Sequence, residues 1–108
     1  MSKVYIASPY TIGSKERNVM KQISVFHILA AHGHVPFAPL LGHYVDLVYP
    51  FSYDFWLKWG MEWMKTCDCV LRLDGESPGA DKEVAEAEKL GIPVYYTIGE
   101  LLKNEIGS

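Results

Sequence analysis

Ser77 and Glu83 stand six positions apart where a loop turns into a helix, and their types suit chemistry on a polar, anionic substrate. A hydroxyl beside the N–H groups of a helix N-terminus favours an anion. A carboxylate about one turn further on can act as a nucleophile, or can stabilise positive charge that develops on a substrate. The run Asp74–Gly79 (DGESPG) carries turn chemistry, with Pro78 and Gly79 at the helix entrance. Each residue also has a plain structural reading. Ser before Pro is a good cap and first-position pair, and the macrodipole alone favours a glutamate in the opening turns.

The elements that must position these side chains form a strand–loop–helix–strand unit from Asp68 to Tyr96. Cys69–Leu73 is a short apolar run of the kind a parallel strand shows when both its faces are covered. Ala80–Leu90 sets Val84, Ala87 and Leu90 near helical spacing, and Gly91 is a natural stop. Ile92–Tyr96 is the next strand. Such a unit brings its loop and helix N-terminus to the carboxyl end of a sheet, where open α/β sheets bind ligands.

Upstream, Lys3–Ala7 (KVYIA) reads as the first and central strand, followed by the loop Ser8-Pro9-Tyr10-Thr11. Ser14 is a reasonable cap for a helix reaching Ala31, with Val19, Ile23, Phe26 and Ala30 facing the sheet and Gly33 closing it. His34–Ala38 is a short strand that Pro36 confines to an edge. Pro39–Pro50 (PLLGHYVDLVYP) reads as a loop that can hold a helical turn and carries His43, Tyr44 and Asp46. Beside a ligand it would serve as a lid or a base-recognition wall. Ser52 caps a helix from Tyr53 to about Thr66, with Phe55, Trp56, Trp59, Trp63 and Met64 on a broad apolar face, and Gly99–Glu105 is a last short helix. The economical architecture is α/β: one domain over 1–108, a small doubly wound, flavodoxin- or Rossmann-like parallel sheet of four or five strands flanked by helices. Right-handed crossovers give the strand order 2-1-3-4.

The totals agree. A chain of 108 residues, 49% hydrophobic with interleaved charges, is one small globular domain. Net charge is −3, with no basic run and no zinc spacing, which argues against a nucleic-acid polymer as partner. His27, His32 and His34 have no metal-ligand partner near them in sequence, so they suggest no metal site. Cys67 and Cys69 match no redox motif and read as two reduced thiols. With no signal peptide and no membrane-length apolar run, a cytoplasmic chain is expected, without membrane contact. Three Trp are more than a small monomer easily hides, so a homo-oligomer is expected.

The pattern Ser77…Gly79…Glu83 followed by a small-residue helix and GIPV, together with the N-terminal VYIASPYT and the segment FWLKWGMEWMKTCD, resembles the nucleoside 2-deoxyribosyltransferase superfamily, which includes the deoxynucleoside 5′-monophosphate N-glycosidases. The resemblance covers most of the chain. It implies that Glu83 attacks the anomeric carbon and that Tyr5 hydrogen-bonds its carboxylate. It implies too that Ser8 and its loop, with Ser77, Gly79 and Ala80, line the place of a sugar 5′-phosphate. Transferases acting on free nucleosides tend to have Asp where this chain has Ser77, so the serine favours a nucleotide. The segment APLLGH places His43 toward the base, and Asp74 is a candidate sugar contact. The implied activity is cleavage of the N-glycosidic bond of 2′-deoxyribonucleoside 5′-monophosphates, releasing base and deoxyribose 5-phosphate, or transfer on the same scaffold, with neither a metal nor an organic cofactor required and a homodimer or a dimer of dimers as the implied assembly.

Two departures stand out. Tyr10 occupies the position of an arginine found in some mononucleotide hydrolases, and Arg17 is a conceivable substitute. Gly60 stands where the resemblance expects an aspartate that protonates the departing base, and glycine inside a helix costs about 0.5–1 kcal/mol relative to alanine. Three explanations are open: another carboxylate, Asp54 or Glu62 being nearest in sequence; a disabled, nucleotide-binding member; or room for a larger base. Asp54 and Glu62 lie about 240° and 200° around a helix from Gly60, so neither shares its face. The cytokinin-activating phosphoribohydrolases are a rival class, but their Gly-Gly phosphate loop is absent from SPGADKE. A non-enzymatic nucleotide-binding or assembly module is the other.

Overall fold

A computed structural model gives the fold and describes residues 1–105 of the chain. Four parallel strands form one sheet in the order β2-β1-β3-β4: β1 (Lys3–Ala7), β2 (Val35–Phe37), β3 (Cys69–Arg72) and β4 (Val94–Tyr95). Every strand pair is parallel, with Tyr5 opposite Phe37 on one side and Val70 on the other. The helices are α1 (Lys15–Ala31), α2 (Gly42–Val48), α3 (Tyr53–Met64), α4 (Pro78–Lys89) and α5 (Ile98–Asn104), and a 3-10 turn at Pro39–Leu41 leads into α2. The doubly wound α/β fold and the expected strand order are what the chain adopts.

Side chains of β1 alternate across the sheet. Val4 and Ile6 join Val25 and Leu29 of α1, Leu71 of β3 and Leu101 of α5 on one face. Tyr5 and Ala7 join Met64 of α3, Val70 of β3 and Ala80 and Ala87 of α4 on the other. This alternation sends the Tyr5 ring toward α3 and α4.

Four expectations are corrected. The buried stripe of α1 is Val19, Gln22, Val25 and Leu29, while Phe26 and Ala30 are exposed and Ile23 is half-buried. Counting apolar residues misplaces that face because a glutamine holds its centre. In α4, which starts at Pro78 rather than Ala80, the stripe is Ala80, Glu83 and Ala87, and Leu90 is exposed. Residues 42–48, read as loop, form two turns of helix. The aromatic face of α3 is not core: Gly60 and Met64 are its buried residues, with Phe55 and Trp63 exposed.

Candidate active site

A cavity of about 600 Å³ opens at the carboxyl end of the sheet, between the loops after β1 and β3, α2 and the first half of α3. That volume suits a nucleoside-sized ligand, since small-molecule sites span about 300–1,000 Å³. Tyr5, Ser8, His43, Ser77, Gly79, Ala80 and Glu83 all contribute to its wall. Asp74 does not. It pairs with Lys21 Nζ at 2.6 Å on the outer surface, so its candidacy as a sugar contact is withdrawn. Arg17 is exposed and does not reach the cavity either.

At the floor, the Tyr5 hydroxyl donates a short hydrogen bond to Glu83 Oε2. Glu83 is 9% exposed and Tyr5 is fully buried. Burial pushes the Glu83 carboxyl from its ordinary 4.5 up to about 7, against the Tyr5 hydrogen bond and the Arg72 charge, which both pull it down. Desolvation outweighs both of those influences. Burial, and then the neighbouring Glu83, hold the Tyr5 hydroxyl well above its ordinary range, so it remains a proton donor.

Gly60 is the clearance for this pair. A Cβ at that position would collide with Tyr5 Oη and come within 3.1 Å of Glu83 Oε2. Any side chain there displaces the two groups the floor is made of, which gives the glycine a physical reason of its own inside α3. The carboxylates nearest to it in sequence do not reach the cavity. Asp54 and Glu62 are exposed, outside the cavity wall, and Glu62 pairs with Lys65 at 2.9 Å.

Ser77 caps α4 by accepting the Ala80 N–H at 3.1 Å. That bond takes the Ala80 amide, and Pro78 has none, so Gly79 supplies the amide left at the helix tip. Lys15 and Lys82 bring positive charge to the cavity wall, stacked over the Tyr10 and Tyr53 rings at 5.5 and 5.6 Å.

Three supporting groups carried no signal that periodicity alone could read. Gln22, buried in α1, donates to Ile6 O at 3.0 Å and Ser8 Oγ at 2.8 Å, and accepts Leu40 N at 2.9 Å. It ties β1, the Ser8 loop and the approach to α2 into one rigid corner. Arg72, inside the apolar run of β3, is buried. It donates to Leu73 O, to Gly75 O at 2.9 Å and to Asp81 Oδ1 at 3.0 Å, shaping the loop before α4. Tyr10 meets His43 Nδ1 at 2.6 Å across the cavity mouth. Beside them Asp46 Oδ1 accepts Phe51 N at 2.8 Å and Trp56 Nε1 at 2.7 Å, and these bonds hold its carboxyl below the ordinary range.

Among the described residues no group of three or more His, Cys, Asp or Glu side chains is gathered to hold a metal ion, and no helix is long and apolar enough to cross a membrane.

A family model described as "Domain of unknown function (DUF7768)" matches residues 2–97. No curated protein matches the chain. Among solved structures, the chain resembles a 2-deoxyribosyltransferase from the psychrotolerant bacterium Bacillus psychrosaccharolyticus, described as a biocatalyst for the synthesis of nucleosides. The identity is 24%, over 85% of this chain and 69% of that one, with a TM-score of 0.62.

Proposed function

We propose that this chain, which belongs to the DUF7768 family, cleaves the N-glycosidic bond of 2′-deoxyribonucleoside 5′-monophosphates through Glu83. The observation that carries the reading is the buried Tyr5–Glu83 pair on the floor of a nucleoside-sized cavity, with Gly60 keeping α3 clear of it. The shared fold with a 2-deoxyribosyltransferase adds to it.

The chemistry follows from the groups present. Tyr5 holds Oε2, leaving Oε1 to attack C1′ as the bond to the base breaks with its electron pair on the base nitrogen. Positive charge develops on the sugar in that transition state, and a desolvated carboxylate stabilises it more than a hydrated one. A glycosyl ester of Glu83 results. Water then attacks C1′, releases deoxyribose 5-phosphate and returns the carboxylate. At the other end of the sugar, the Gly79 amide, the Ser8 and Ser77 hydroxyls and the Lys15 and Lys82 ammonium groups suit a phosphate. If a second nucleobase takes the place of water, the same ester makes the chain a transferase.

The test is a panel of 2′-deoxynucleotides and 2′-deoxynucleosides assayed for free base, with and without an acceptor base. Release of base from the monophosphates, abolished in Glu83→Ala, supports the reading. Nucleotide binding without any base release points instead to a nucleotide-binding module.

Phe55, Trp63, Val45 and Tyr49 leave a broad apolar face exposed around α2 and α3, and surfaces of that kind mark association sites. We propose a homodimer through this face.

A further inference from the structure

We propose that His43, held by Tyr10, is the group that protonates the departing base. The inference rests on the glycosidase reading above and supplies the step which that reading lacks.

A base leaving with its bonding pair needs a proton, and the donor must stand in the cavity. Helix α3 brings no carboxyl group to it: Gly60 has no side chain and no room for one, Asp54 and Glu62 lie outside, and the Tyr53 hydroxyl stands beside Gly79 at the phosphate end. Of the acidic groups that do line the cavity, Glu83 is the attacking group, the Tyr5 hydroxyl is committed to it, and Glu76 is exposed beside Ser77, on the side given to the phosphate. Asp46 is stabilised as a carboxylate by two N–H donors on one oxygen, so it has no proton to give. His43 remains, with one ring nitrogen engaged at 2.6 Å by Tyr10 and Nε2 without a protein partner among the described residues.

The position of His43 is built, not incidental. Gly42 lets α2 lie against the Trp56 ring, where a Cβ would come within 2.8 Å of it. Asp46, one turn along α2, is bonded to the indole of that same Trp56. The helix is thereby clamped to α3 with His43 facing the loop after β1, where the Tyr10 ring lies 5.6 Å from the imidazole. The groups around the imidazole are Tyr10, with Lys15 over its ring, Tyr44, whose ring meets it edge-on, and the Asp46 carboxylate, which attracts it.

In the charged ring both nitrogens donate. Nδ1–H is then held by Tyr10 Oη, which burial and Asp46 keep in the phenol form, and Nε2–H is given to the base as the C1′–N bond breaks. The neutral imidazole next accepts a proton at Nε2 from the water that attacks the glycosyl ester. His43 is thus acid in the first half and base in the second, and it ends as it began. Tyr10 acts through it as a positioning residue.

The experiment compares two substrates: an ordinary 2′-deoxynucleoside 5′-monophosphate, and 2′-deoxyguanosine 5′-monophosphate methylated at N7, whose cationic base leaves without an added proton. Loss of an acid removes a factor of about 10²–10⁴. His43→Gln is therefore expected to lower the single-turnover rate of base release from the ordinary substrate at least a hundredfold, and from the methylated one less than about tenfold. Tyr10→Phe removes the acceptor of Nδ1–H, so base release slows more on the ordinary substrate than on the methylated one, with KM little changed. Equal losses on both substrates in His43→Gln, with the variant still folded by circular dichroism, overturn the assignment and leave the Glu83 reading standing. Absence of turnover of both substrates by the unaltered chain sinks the glycosidase reading and this inference with it.

Discussion

Replacing Glu83 with glutamine will stabilise the folded chain above neutrality and give no such gain in acid. The buried carboxyl holds its proton up to about pH 7, whereas an exposed one releases it near 4.5. Between those values the folded state binds more protons than the unfolded state, so stability falls as pH rises through the window, and the whole penalty is present above it. At about 1.4 kcal/mol per pH unit, the displacement amounts to about 3 kcal/mol. Glutamine never ionises and keeps a carbonyl for the Tyr5 hydroxyl. Its amide protons need a new acceptor, which costs about 1–2 kcal/mol if none is found. The net gain above neutrality is then roughly 1–3 kcal/mol, a rise in Tm of several degrees for a domain of this size. Urea melts of both proteins at intervals from mild acid to mild alkali give the difference directly. A stability difference that stays flat across that range would show that burial does not govern this carboxylate. A Glu83→Gln protein that loses ground as pH rises would reverse the sign of the argument.

Gly60→Ala gains up to about 1 kcal/mol of helix propensity but drives a methyl into Tyr5 Oη, and overpacking costs about 1–3 kcal/mol, so the variant is less stable as well as inactive. A melt showing the full propensity gain would mean that the space is there. Gly60→Asp presses a second carboxylate toward Glu83 and is expected to lose more stability than alanine. Gln22→Ala strands Leu40 N–H and Ile6 O and opens a void, a loss of about 3 kcal/mol in chemical denaturation; a change under 1 kcal/mol would mean that water replaces the amide. Base release requires the ionised nucleophile, so kcat/KM rises with pH toward about 7, and a profile already level at pH 5 contradicts that. Trp63→Glu, made on the exposed face of α3, converts a dimer to a monomer in sedimentation velocity while each chain stays folded; an unaltered chain that already sediments as a monomer removes the dimer.

The alternation of Val4, Tyr5, Ile6 and Ala7, the turn chemistry around Pro78 and the caps at Ser14, Ser52 and Ser77 were legible in the chain because each acts within a few residues. Their consequence, a parallel sheet in the order 2-1-3-4 with a loop and a helix tip at its carboxyl end, follows from short-range preference and the handedness of crossovers. Ser8, Ser77 and Glu83 fall at that end for the same reason. The environment of Glu83 did not follow. Its displacement to about 7 depends on how completely α3, α4 and β1 exclude water, and desolvation is set by every neighbour at once. Gly60 looked like a vacancy when read along α3; beside Tyr5 and Glu83, from two other elements, it is the space they need. Gln22 and Arg72 were hidden for a related reason: a buried polar side chain is tolerable only when backbone groups far along the chain come to meet it, and that meeting exists only in three dimensions.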